Sequence, residues 1–192
     1  LRSAGIDVTL GVCEADAADE LAGFFQRLKR GDGRVTVKMA MSADGRTAMA
    51  SGESQWITGE EARADVQAWR AYSDVIVTGS GTVSADDCSL TLRPCDNRLD
   101  SDDWERAMMA PTPRAVIDTN ASTPASANVV AGITPTTLFT REGASMDSFM
   151  SDNVRQVSIA SSSAGLDVRQ VLLKLGEQGA NEILVEAGPT LV

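Results

Sequence analysis

Apolar and polar positions alternate in Ile6 to Val12 (IDVTLGV), and that period of two predicts a half-buried strand. The period then lengthens. Leu21, Phe24, Phe25 and Leu28 recur at helical spacing within Ala15 to Arg30, with Glu14 and Asp16 early and Arg27, Lys29 and Arg30 late. That charge order suits the helix dipole and predicts a helix. Gly31-Asp32-Gly33 reads as a linker.

Beyond it, strand and helix patterns interleave. Arg34 to Met41 predicts a strand with Val35, Val37 and Met39 on one face and Lys38 on the other. Thr58-Gly59-Glu60-Glu61 reads as a capping box opening a helix from Glu60 to Tyr72. Asp74 to Thr78 (DVIVT) predicts a buried strand ending at a Gly79-Ser80-Gly81 loop. Arg114 to Asp118, Thr137 to Thr140 and Val154 to Ala160 predict three more strands. Asp167 with Gln170 caps a helix from Val168 to Glu177, with Gly179 as its stop. Glu182 to Glu186 is the last predicted strand. The interleaving predicts an α/β fold around a mostly parallel sheet flanked by helices.

Composition narrows the chemistry. The 192 residues carry 17 basic and 27 acidic side chains, a formal charge of −10. Such a surface disfavours nucleic-acid partners, yet a few placed arginines can still hold an anionic small molecule. Histidine is absent. A Ser-His-Asp triad, a Cys-His dyad and a histidine-ligated zinc site are therefore excluded for this chain. Three cysteines (Cys13, Cys88, Cys95) are too few for an all-thiolate zinc site, and the chain predicts no metal site. Sparse, odd cysteines argue for the cytosol over a secreted disulfide scaffold. No apolar run reaches the length of a membrane span, and no leader pattern follows Leu1. The stretch Pro94 to Pro113, with five acids against two arginines, reads as a solvated loop.

Three segments carry candidate chemistry. Lys38 to Trp56 is a strand end, an Asp44-Gly45 turn and a small-residue loop closing on Trp56, which a planar ligand could stack against. Thr78 to Arg93 places Gly79-Ser80-Gly81 after a strand, although Ser84 stands where a dinucleotide fingerprint needs its third glycine. Val185 to Thr190 ends a buried strand in Glu186. Ligands of α/β sheets bind at the carboxyl ends of strands, so these segments describe one crevice with cations and acids.

Four blocks then carry a family resemblance: KMAMSADGRTAMASGESQWIT, ARADVQAWR, TGSGTVSADDCSLTLR and VEAGPTL. Together they resemble the reductase half of the bifunctional riboflavin-biosynthesis deaminase/reductase, from about Arg34 onward. Residues 1–33 resemble the closing strand and helix of that family's deaminase domain plus a linker. The resemblance implies a dihydrofolate-reductase-like fold. It also implies reduction, with NADPH, of 5-amino-6-(5-phosphoribosylamino)uracil to its ribitylamino form, in a homodimer. The implied catalytic residues are Lys38 and Glu186. The implied substrate-side residues are Ser54, Arg70, Leu90, Arg93 and Glu186. The implied cofactor-side residues are Ala40, Trp56, Thr82, Asp86, Thr119, Gly188, Pro189, Thr190 and Leu191.

Cys88 departs from the family, which has proline there. The family's zinc motifs and its closing strands are expected outside Leu1–Val192, so the chain reads as an internal piece lacking both ends. Such a piece alone is expected to oxidise little NADPH. Two other readings stay open: another pterin or pyrimidine reductase of the same fold, and a non-catalytic nucleotide-binding module.

Overall fold

Four strands are almost wholly buried, and they fix the architecture. A computed structural model describes residues 1–51, 56–95, 98–145, 151–188 and 190–191. In chain order the elements are α1 (Glu14–Glu20), α2 (Ala22–Arg30), β1 (Arg34–Lys38), α3 (Glu60–Tyr72), β2 (Val75–Gly79), α4 (Ser80–Asp86) and α5 (Ser101–Met109). There follow β3 (Arg114–Ile117), β4 (Thr136–Arg141), β5 (Val154–Ile159), a small hairpin of β6 (Ser161–Ser162) and β7 (Gly165–Leu166), α6 (Val168–Glu177) and β8 (Glu182–Glu186). The main sheet has the order β1-β8-β2-β3-β4-β5, and every pair is parallel.

A parallel sheet needs cover on both faces, and the four central strands have it, while Val35 and Val37 of edge strand β1 stay exposed. One face packs Val77, Ala115, Phe139, Ile183 and Val185 against Val171 and Leu175 of α6. The other packs Ile76, Val116, Leu138 and Leu184 against Val83 of α4, Leu90 and Val129. Phe139, Ile76, Leu138, Ile183 and Leu184 are buried to within 1%. Each such side chain contributes about 1.5–3 kcal/mol of transfer free energy.

At the amino ends of β1 and β8, backbone packs directly on backbone. A Cβ at Gly176 would lie 1.9 Å from the Gly31 carbonyl oxygen. One at Gly23 would meet the Asn181 carbonyl at 2.3 Å, and one at Gly33 the Ala180 carbonyl at 2.5 Å. Only glycine permits these approaches. Arg27 Nε donates to Asn181 Oδ1 at 2.8 Å, and Asp74 Oδ2 accepts from the amides of Asn181 and Glu182.

Several predicted elements differ. Ile6 to Val12 forms no strand, because the alternation has no neighbouring strand to complete its hydrogen bonds. The helix expected over Ala15 to Arg30 breaks at Leu21 into α1 and α2. Its apolar stripe is not buried; Phe24, Phe25 and Leu28 stay exposed, while α2 docks through Gly23 and Arg27. The Thr58 capping box does not form. Gly59 is the N-cap of α3 without a side-chain bond, and the Thr58 carbonyl accepts from Arg63 Nη1 instead. Gly79-Ser80-Gly81 is no loop, since β2 passes straight into α4 at Gly79. The acidic stretch Pro94 to Pro113 contains α5, whose N-cap Asp100 accepts from the Asp103 amide at 2.9 Å. The Asp167 cap of α6 forms as expected. No helix among the described residues is long and apolar enough to cross a membrane.

Candidate functional site

Glu186 organises the site. It ends β8, the strand inserted between β1 and β2. Its partner in the parallel register is Lys38, the last residue of β1. Neighbouring strands lie about 4.8 Å apart, and in-register residues share a face. Lys38 has no ion-pair partner among the described residues, because the Glu186 carboxylate is taken elsewhere. Arg70 Nε reaches Glu186 Oε1 at 2.6 Å, and Arg70 Nη2 reaches Oε2 at 3.0 Å. Both side chains are about nine-tenths buried. This bidentate geometry satisfies both carboxylate oxygens and fixes the carboxylate plane.

Helix α3 gathers the remaining substrate-side candidates. Arg70 Nη1 donates to the Thr91 carbonyl at 2.9 Å, next to Leu90. One turn earlier, Gln67 Oε1 accepts from the Arg93 amide at 3.0 Å. The Arg93 side chain is exposed, with no ion-pair partner among the described residues. Arg70, Leu90, Arg93, Glu186 and, through the strand register, Lys38 thus form one group. Ser54 and Pro189 lie outside the described residues.

The cofactor-side candidates fall in a row. Ala40 follows β1, Gly188 follows β8, Thr82 lies in the first turn of α4 after β2, and Thr119 follows β3, while Asp86 ends α4 and lies off this row. These four strands are neighbours in that order. The row therefore spans about 14 Å across the carboxyl edge. Thr82 Oγ1 accepts from the Gly188 amide at 3.1 Å, which joins two of the candidates directly. The Leu191 amide turns back to the Gly188 carbonyl, and the Leu191 side chain lies against Gly79. Asp86 and Thr190 are exposed. Trp56 is 73% exposed, with the Arg63 guanidinium 4.5 Å from its ring centroid. No bond joins Trp56 or Thr119 to the rest of the row among the described residues.

Two glycines leave space here. A Cβ at Gly81 would meet nothing within 4 Å, and one at Gly188 would meet only Thr82 Oγ1 at 3.8 Å. A cavity of about 250 Å³ adjoins Lys38, lined also by Met39, Thr58, Asp65 and Trp69. A larger one, about 1040 Å³, lies at the amino ends of the strands and includes none of the candidates. Size and chemistry disagree, and chemistry decides, since α/β sheets bind ligands at their carboxyl ends.

Sequence reasoning missed several residues that hold this site. Asp118 caps the exit of β3. It accepts from Ser122 N and Oγ and from Thr123 N, at 2.9, 2.8 and 2.6 Å. Burial pushes its pKa up, but these hydrogen bonds outweigh that and hold it below the ordinary carboxyl value. Burial, with help from Asp86, pushes the Cys88 thiol up to about 11, so it stays protonated and unreactive near neutral pH. The Thr78 hydroxyl is buried with no hydrogen-bond partner among the described residues. Arg114 is 1% exposed. The Asp118-x-x-x-Ser122-Thr123 spacing was visible as a turn signal; the Arg114 partners were not.

Residues 34–192 match the family model described as the RibD C-terminal domain. The chain belongs to that family. It is 40% identical over 194 residues to riboflavin biosynthesis protein RibD of Escherichia coli, covering all of this chain and 52% of that relative. Riboflavin biosynthesis protein RibD of Bacillus amyloliquefaciens is 35% identical over 195 residues, with 49% of its length covered. Among solved structures, Acinetobacter baumannii RibD (form 1) superposes with a TM-score of 0.83 at 36% identity, covering all of this chain and 50% of that one. A Thermotoga maritima diaminohydroxyphosphoribosylaminopyrimidine deaminase/5-amino-6-(5-phosphoribosylamino)uracil reductase shares the fold, with a TM-score of 0.74 at 24% identity. The chain spans about half the length of the relatives it matches. The expected α/β fold with a parallel central sheet is the fold of this RibD family.

Proposed function

We propose that this chain is the reductase unit of a riboflavin-pathway enzyme. It would reduce the ribosyl group of 5-amino-6-(5-phosphoribosylamino)uracil to the ribitylamino form with NADPH. One observation carries the reading: the Lys38–Glu186–Arg70 cluster adjoins a row of open, glycine-rich strand ends in a chain of the RibD C-terminal family. The space beside Gly81 and Gly188 fits a ligand backbone that must come close to the main chain. When bound, the nicotinamide supplies a hydride.

The protein's part is then to bind, orient and move one proton. Lys38, without an ion-pair partner among the described residues and beside Glu186, polarises the open-chain C1′ group of the ribose and supplies the proton. Glu186, its plane fixed by Arg70, orients the ribose hydroxyls. Arg93 is exposed and takes the phosphate, while Arg70 holds Glu186 and the Thr91 carbonyl. Ser54 completes the substrate side. Ala40, Trp56, Thr82, Asp86, Thr119 and the turn Gly188 to Leu191 hold the cofactor. The remainder of the full-length protein would deaminate the preceding pyrimidine, and the assembly would be a homodimer.

The test is NADPH oxidation by the full-length protein with the phosphorylated substrate, and product mass shifted by two hydrogens. Lys38→Met is expected to lower kcat by about 10²–10⁴, the usual reach of acid–base catalysis. Wild-type turnover in Lys38→Met would remove Lys38 from the chemistry. Equal turnover of an unphosphorylated pterin would favour a different reductase of this fold. Cofactor binding without any turnover would favour a non-catalytic module.

A further inference from the structure

Two buried arginines grip the carbonyl groups on either side of Leu90. Arg70 Nη1 holds Thr91 O, and Arg114 Nη1 holds Ser89 O, both at 2.9 Å. Leu90 between them is 3% exposed and has φ +52°. A left-handed conformation is costly for a non-glycine residue and persists only where the surroundings impose it. Asp87 is also left-handed, at φ +42°. Its carboxylate accepts from Asn128 N at 2.9 Å and from Asn128 Nδ2 at 2.8 Å. With the Gln67 contact to Arg93, the segment Asp87 to Arg93 is held at four places.

Arg114 stands apart from Arg70 because no carboxylate meets it among the described residues. Its remaining partners are Thr136 Oγ1 at 3.1 Å and the carbonyls of Asn128 (3.4 Å), Ala131 (3.0 Å) and Thr134 (3.1 Å). Burial lowers its pKa, with the nearby Cys88 opposing. A buried guanidinium without a counter-charge costs several kcal/mol, and an apolar side chain of similar volume would fill the space at less expense. What the guanidinium adds is direction. It joins Ser89 to the carbonyl of Asn128, the same residue that holds Asp87.

We propose that Arg114 is a positioning residue for the substrate segment Asp87–Arg93. It imposes the left-handed turn at Leu90, whose side chain stays in the core, and so aims Arg93 at the phosphorylated pyrimidine, without touching substrate or cofactor. This rests on the reductase reading above.

The test uses the full-length protein. Wild type is first assayed with the phosphoribosylamino substrate and NADPH; no turnover there overturns the reductase reading alone. Amide hydrogen exchange at Leu90 and Thr91 then decides the positioning. Arg114→Lys keeps a cation but cannot span five acceptors. It is expected to raise the KM for the pyrimidine about tenfold, to leave the KM for NADPH within about twofold, and to speed exchange at Leu90 and Thr91 by about tenfold. An unchanged pyrimidine KM with unchanged exchange overturns the proposal, and so does an equal rise in both KM values. Should Arg114→Lys fail to fold, Asn128→Ala decides, since Asn128 is exposed and, among the described residues, its side chain ties Asp87 alone. The same split, at about threefold, supports the proposal, and no split overturns it.

Discussion

The two ends of the parallel sheet use glycine for opposite purposes. At the amino ends, Gly23, Gly33 and Gly176 let backbone touch backbone, and no side chain would fit. At the carboxyl ends, Gly81 and Gly188 face open space. At β1 and β8 the amino ends are finished by packing, whereas their carboxyl side is finished by charge, through the Arg70–Glu186 pair. A glycine in a sequence therefore carries no single meaning. Whether it marks a site or a joint depends on what its missing Cβ would meet.

Substitutions can break this contrast. Glu186→Ala leaves Arg70 buried without its partner and is expected to cost about 3–5 kcal/mol in denaturant unfolding. The double variant Arg70→Met/Glu186→Leu should recover most of that stability while reductase activity stays lost. If it recovered neither, the pair would be doing more than neutralising charge. Gly176→Ala comes next, at about 1–3 kcal/mol, because the Gly31 carbonyl must move. Gly81→Ala, inside α4 with room around it, should change stability by less than about 1 kcal/mol, in the favourable direction. Its effect should appear in the KM for NADPH. A Gly81→Ala protein as destabilised as Gly176→Ala would erase the distinction.

Asp118 gives the smallest effect and a pH signature. Its folded pKa lies below the unfolded 3.8, so its contribution is present above that value and is lost as pH falls through the lower folded value. On acidification below 3.8, wild type should therefore lose its stability advantage over Asp118→Asn, measured as the difference in unfolding midpoints. A difference that stays constant across that range would show that Asp118 acts only through shape.

Most sheet strands were legible because buried parallel strands are short apolar runs, as in Val75–Gly79 and Glu182–Glu186. Strand order was not, since nothing local says that β8 separates β1 from β2. The alternation in Ile6 to Val12 was real but had no partner strand. Helix α5 was hidden by reading charge before spacing, although Asp100 and Asp103 already formed a cap with Trp104 and Met108 one turn apart. Among the site residues, motif matching named Arg70 and Glu186 separately. Their pairing spans 116 residues and became visible only in three dimensions. Arg114 and Asp118 were read as strand ends, because their partners are carbonyls and amides, which every residue has.

The position of β8 also governs the order of assembly. Arg34 of β1 finds its partner Glu182 only 148 residues later in the chain. In the folded sheet β1 and β2 do not touch, so neither completes its ladder without β8 between them. Contacts this distant in sequence slow folding. Both strands spend that interval as open edges, so a nascent chain depends on the late arrival of Glu182–Glu186 to seal the middle of its own sheet.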